Sequence, residues 1–239
     1  MTSRDDPEVG KATASEGRGR PRIHEDAEIL DVALKAFAAQ GFDAVSVRSL
    51  NSALGLSHGT ISQRFGTKEN LYFAAVDHGF RPLLAEIQIL QHALLADFEI
   101  PDDLDRLQSM IMAFLLAAWK RPELGRLMNQ EGLSSTNRLD HIIENVVRPM
   151  TMVVNELLIR LQEAGRIRPV TLRALFFLVT HGAESPFTLT ALSESFDDVD
   201  GVLDATAHSR LVTDILIGGL VVHAEDRPLD ERTVDPLRR

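Results

Sequence analysis

The stretch Ser46-Val47-Arg48-Ser49-Leu50-Asn51-Ser52-Ala53-Leu54-Gly55-Leu56-Ser57-His58-Gly59-Thr60-Ile61-Ser62-Gln63-Arg64-Phe65-Gly66-Thr67-Lys68 reads as two short helices joined by a tight turn. Ser46 stands where an N-cap belongs, with Val45 before it as a hydrophobic staple, and Leu50, Ala53 and Leu54 recur at helical spacing until Gly55 offers a left-handed stop. Ser57 is placed to cap a second helix from His58 to Phe65. Its apolar residues Ile61 and Phe65 are four apart, which leaves His58, Thr60, Ser62, Gln63 and Arg64 facing elsewhere. A helix-turn-helix with a polar second helix has the dimensions of a major-groove reader.

Upstream, Ile29, Leu30, Ala33 and Phe37 form one stripe of a helix over about 25–40, with Glu25, Asp26 and Glu28 in the first turn where the dipole favours them and Gly41 as its stop. The three helices together predict a small domain over 23–75. Downstream, Gly66 breaks the reading helix and Thr67 caps the next. Lys68 then falls in a first turn, where a cation is disfavoured, so a docked DNA phosphate is expected to compensate it.

Residues 25–77 resemble the DNA-binding domain of the TetR family of transcriptional repressors. The resemblance is carried by Ile29-Leu30, Ala33, Phe37, Gly41-Phe42, Val45-Ser46-Val47, Leu50, Gly55-Leu56-Ser57, Gly59-Thr60-Ile61, Phe65 and Lys68-Glu69 followed by Leu71. Ser62 and Gln63 depart from it, standing where an aromatic pair is usual, and Asn51 replaces a usual alanine. The resemblance implies base contacts from Arg48, His58, Ser62 and Gln63, and backbone contacts from Ser46, Gly59, Thr60, Arg64 and Lys68. Each taken alone is equally an ordinary solvated residue; together they mark one face.

The 239 residues carry a formal charge of -10, unevenly spread. Residues 1–75 hold nine Lys and Arg against ten Asp and Glu, and the remainder sixteen against twenty-five, so only the first part approaches a phosphate backbone without strong repulsion. The absence of cysteine excludes disulfides and thiolate chemistry and suits a reducing cytoplasm. No apolar run is long enough to span a bilayer and the first residues lack a signal-peptide core, so a cytoplasmic protein with no membrane partner is expected. Residues 1–22 read as a flexible arm whose Gly17-Arg18-Gly19-Arg20-Pro21 resembles an AT-hook core, with Arg18 and Arg20 slim enough for a minor groove; a solubilising tail is the alternative.

The remainder predicts helices only, for an all-α fold in which a larger domain of about nine helices over 76–224 follows the reading head, before a tail over 225–239. Helical period runs from Lys68 towards Phe98, with Gly79 and Pro82 expected to kink or split it near Phe80, either as a mechanical joint or as a bend that fits the core. Further helices are expected over 102–120, 123–130 and 137–164, the last bent at Pro149. Leu172 to Val179 is apolar nearly all round and is expected to be buried on several sides until Gly182 ends it. A looser segment over 184–201 precedes a last helix over 203–224.

The resemblance places a homodimer interface on 170–182 and 203–224, with Phe176, Leu211, Ile215, Gly218, Gly219 and Val222 in it; intrachain packing is the alternative. Phe114, Trp119, Met128, Met150, Phe177 and His181 are candidates to line a ligand cavity, although a plain core explains most of them as well. His141 with Glu144 and His181 with Glu184 are single pairs, too few for a metal site, and no catalytic or cofactor motif is present. The expectation is a regulator without enzyme activity or cofactor. It binds a palindromic double-stranded operator as a homodimer and is released, as a repressor, by an apolar small-molecule effector; control by a protein partner is the alternative.

Overall fold

The computed structural model describes residues 25–222, so the arm with Arg18 and Arg20 and the tail over 225–239 lie outside the described residues. The described chain is helical, and its one β-type contact is an isolated bridge between Ile167 and Val221. Helix α1 (Asp26–Gln40), α2 (Val47–Ala53) and α3 (Thr60–Phe65) form the head. Helix α4 (Lys68–Leu94) leads from it along α5 (Asp103–Ala118), and α6 (Pro122–Glu131) packs on α1. Then follow α7 (Asn137–Ile142), α8 (Arg148–Glu163), α9 (Leu172–Phe177), the short α10 (Ser185–Thr188), α11 (Thr190–Glu194) and α12 (Asp197–Asp200), and finally α13 (Ala205–Leu220).

Two apolar cores hold these together. The first joins Phe37, Leu50 and Ile61 of the head to Val76 and Phe80 of α4 and on to Leu124 and Leu127 of α6. The second joins α5, α8, α9 and α13 through Leu115, Leu158, Leu175 and Ile217. Head and α6 thus share one core, with no solvent gap between them.

Helix α4 is continuous through Pro82, against the expected split near Phe80. The proline removes one backbone bond, but Phe80 and Leu83 on either side of it are each buried in the same core, and tertiary packing of both halves outweighs the local loss. Gly79 marks a close approach, since a Cβ there would lie 2.5 Å from Leu34 Cδ2 and 2.9 Å from Leu124 Cδ2.

The long helix expected over 137–164 is one helical run with a π turn over Ile143–Val147, where the Arg148 amide donates to the Ile143 carbonyl. A second π turn, Leu178–Ala183, continues α9 past Gly182, which therefore does not end it. Each wide turn comes just before a proline, Pro149 or Pro186, where the regular ladder must lose a donor anyway. Leu172–Val179 is not buried on several sides either: Leu175 and Val179 face the core, whereas Phe177 and Leu178 are half exposed.

Candidate nucleic-acid interface and ligand cavity

The head is built around α3. Ile61 is 1% exposed and anchors its inner side, while Ser62, Gln63 and Arg64 are exposed on the outer side. Ser46 caps α2, its Oγ accepting from the Ser49 amide at 3.0 Å. Arg48 and His58 are exposed and flank α3.

The expected start of the reading helix is corrected: it begins at Thr60, and His58 and Gly59 form the turn before it. Gly59 takes φ +87°, a left-handed conformation that Cβ-bearing residues disfavour, and this swings the chain into α3. The Ser57 side chain does not cap the helix amides and instead lies 2.7 Å from Thr60 Oγ1.

The role that Ser57 leaves open is filled by Asn51, which the sequence marks only as a departure. Asn51 is 4% exposed, donates to the Val47 carbonyl at 3.1 Å and accepts from the Ile61 amide at 3.3 Å. That amide is one of the unpaired donors at the start of α3, so a side chain from α2 caps the reading helix and fixes the angle between them.

Two cations have partners in the fold. Arg64 pairs with Asp26 at 3.1 Å. Lys68 lies 4.3 Å from the centre of the Phe42 ring and donates to the Asp43 carbonyl at 3.3 Å. The inference that Lys68 requires a phosphate is therefore corrected: the ring and carbonyl already compensate a cation at that helix start.

Phe42 also carries Arg138 of α7 on its ring, at 4.1 Å. Arg138 pairs with Glu131 at the end of α6 at 3.1 Å, and both side chains are nearly buried. Gln130 of α6 donates to the Ala38 carbonyl at 3.3 Å. The end of α6 is thus fastened to the head by an ion pair, a cation on an aromatic ring and a hydrogen bond. Tyr72 packs edge-on against Phe37 and Phe42, and burial holds its hydroxyl above the ordinary tyrosine range.

The beginning of α6 faces a cavity of about 340 Å³ between α4, α5, α6, α8 and α9. Of the six residues expected around a cavity, Phe114, Met128, Met150 and His181 line it. Trp119 does not; it packs edge-on against Phe187 with rings 5.4 Å apart, because it falls after the last turn of α5. Phe177 does not either, being 52% exposed beside Phe176, which lines the cavity instead. The α9 stripe is rotated by one residue from the expected one.

Glu184 was missed as a cavity residue. It is 5% exposed, and burial pushes its carboxyl up to about 7. Its expected partner His181 lies 2.7 Å from Thr180 Oγ1, and His141 lies 2.7 Å from Asp77 Oδ1 rather than against Glu144. No cluster of three or more potential metal ligands occurs among the described residues.

On the far side, α13 turns Leu211, Ile215, Gly218 and Gly219 outward, and Val222 just beyond it is exposed as well. No atom of the described chain lies within 4 Å of a Cβ built on either glycine. The close helix approach that the glycine pair suggested does not occur among the described residues. No helix of the described residues is long and apolar enough to cross a membrane.

Residues 29–75 match the model of the bacterial regulatory proteins of the tetR family. Over 60 residues the chain is 40% identical to the HTH-type transcriptional repressor Rv1474c of Mycobacterium tuberculosis, a match over 23% of this chain and 32% of that one. The chain thus spans about a third of the length of the curated relative it matches. In fold it is similar to a tetR-family regulatory protein from Rhodococcus RHA1, with a TM-score of 0.59 at 20% identity over 84% of this chain and 99% of that one. It is likewise similar to the ketosteroid transcriptional regulator KstR2 of Mycobacterium tuberculosis, with a TM-score of 0.58 at 21% identity over 86% and 100%. The family match covers residues 29–75, so the head is a tetR-type domain, and the described chain shares the overall fold of these two structures.

Proposed function

We propose that the chain is a homodimeric transcriptional repressor that an effector in the cavity releases from its operator. The observation that carries this reading is the path along α6, whose first turns line the cavity and whose last turn is fastened to the head through Gln130, Glu131 and Arg138. A ligand that repositions α6 moves the reading helix with it, provided that it binds the moved arrangement better than the other.

Arg48, His58, Ser62 and Gln63 are the exposed groups assigned to base edges, and exposed Ser46 with the half-buried Gly59 and Thr60 are assigned to the DNA backbone. Arg64 and Lys68 contribute phosphate contacts only by sharing or leaving Asp26 and Asp43. The second subunit packs on the outward faces of α9 and α13, where Phe177, Leu178, Leu211 and Ile215 are each at least half exposed. A two-fold axis there sets the two α3 helices about 34 Å apart for successive major grooves.

The test is selection of duplexes from a random library by the full chain, followed by anisotropy titrations. Gln63→Ala and Arg48→Ala each relax selectivity at particular base pairs, by about tenfold for the arginine. No enrichment of any sequence refutes the reading.

A further inference from the structure

Resting on the reading of the cavity as an effector site, we propose that the effector is an organic cation, an amine on a mainly apolar body, whose ammonium group pairs with Glu184 on the cavity wall.

That wall is mostly hydrocarbon and aromatic, with Phe80, Leu83, Met110, Phe114, Met128 and Phe176 in it. Its volume of about 340 Å³ lies in the range of small-molecule sites. Against this background Glu184 is anomalous. It lines the cavity and is only 5% exposed, yet its carboxyl has neither a hydrogen-bond donor nor an ion-pair partner among the described residues. Buried polar groups are nearly always bonded and buried charges nearly always paired. A solitary carboxyl on an apolar wall therefore points to a ligand that supplies its donor.

The fold keeps that position clear. A Cβ at Gly125 would lie 2.3 Å from Glu184 Oε1 and 2.6 Å from Thr188 Cγ2, so the carboxyl rests against the α6 backbone where no side chain fits. Charge then selects the head group. Burial alone pushes the Glu184 carboxyl up to about 7, and no charged side chain contributes, so no cation of the described chain compensates it. The folded chain has already removed this carboxyl from water, and a cation that enters gains the attraction without that cost falling on binding. An ammonium group brings three donors together with the charge; a hydroxyl brings one donor and no charge, and a carboxylate meets repulsion. Of the other ionisable groups on the wall, His181 is engaged with Thr180. Arg121 is half-buried with a buried Nε that has no acceptor, so an anion held there is the competing assignment.

Isothermal titration calorimetry of the full chain at pH 8 with octylamine, 1-octanol, octanoate and octyl methyl ether compares four head groups on one alkyl chain. Octylamine is expected to bind at least about tenfold tighter than each of the others, the worth of a hydrogen bond to a charged partner. Glu184→Gln removes this preference and leaves octylamine and octanol within about threefold of each other, whereas His181→Ala retains it. Tighter binding of octanol or octanoate overturns the proposal, and so does a preference that survives in Glu184→Gln or the absence of binding by all four. None of these refutes the effector reading. That reading is tested separately by anisotropy of the selected duplex, where octylamine that binds with the expected preference but releases no operator upholds the amine site and refutes the effector role.

Discussion

Replacing Asn51 by alanine tests whether α2 truly caps α3. The substitution removes the acceptor that the buried Ile61 amide uses at 3.3 Å, and a buried amide left without a partner costs about 1–3 kcal/mol. Alanine returns about 0.7 kcal/mol through its better helix propensity inside α2. The bond from Asn51 to the Val47 carbonyl adds little, because that carbonyl is an acceptor within the helix as well. The net expectation is a loss of about 0.3–2.3 kcal/mol, or a fall in melting temperature of roughly 1–9 °C for a chain of this size. Calorimetry measures the loss, and amide hydrogen exchange locates it: Ile61 and Ser62 lose protection while the α5 amides do not. Operator affinity falls in parallel, since the angle of the reading helix is no longer fixed. An unchanged melting temperature with full protection at Ile61 refutes the reasoning.

Three further expectations concern the cavity, the coupling and the assembly. Because the Glu184 carboxyl is raised in the folded chain, the folded state holds its proton between about pH 4.5 and 7, where the unfolded chain has released it. Stability therefore falls as pH rises through that window and levels above it. Glu184→Gln flattens this slope and is the more stable protein at pH 8, by on the order of 3 kcal/mol at most, as read from urea titrations across pH. Arg138→Ala strands the nearly buried Glu131 carboxylate and frees the Phe42 ring, for a loss of about 3 kcal/mol. It also abolishes effector-driven release at temperatures where it remains folded, as anisotropy of a labelled operator records. Ile215→Asp, on the outward face of α13, converts the dimer to monomer in sedimentation velocity while leaving helical content unchanged.

The head was legible in the sequence because its signals are local. A serine at the start of α2, glycines at 41, 55 and 66 and the apolar spacing of Leu50, Ile61 and Phe65 each act within a few residues. What escaped was set by tertiary contact. The start of α3 moved to Thr60 because the capping group comes from Asn51, ten residues away from Ile61. Lys68 found its compensation in a ring and a carbonyl of the preceding loop, which spacing alone does not reveal. The continuity of α4 through Pro82 was decided by the core on both sides, not by the proline. In the second half, the packing of α9 turns Phe176 to the cavity and leaves Phe177 half exposed, so the candidates at 176 and 177 exchanged places. Glu184 looked like half of a histidine pair and is instead a buried carboxyl over Gly125, a position that only the packing of α6 against the residues after α9 creates.

The central claim is that two α3 helices of a dimer read successive major grooves and that a cavity ligand ends this. Hydroxyl-radical and dimethyl-sulfate footprinting of the selected duplex, with and without effector, tests it most directly. The account predicts two protected major-groove segments on one face of the DNA, centred about 34 Å apart, both lost together when effector is added. A single protected segment, protection confined to the minor groove, or a footprint indifferent to every cavity ligand contradicts it.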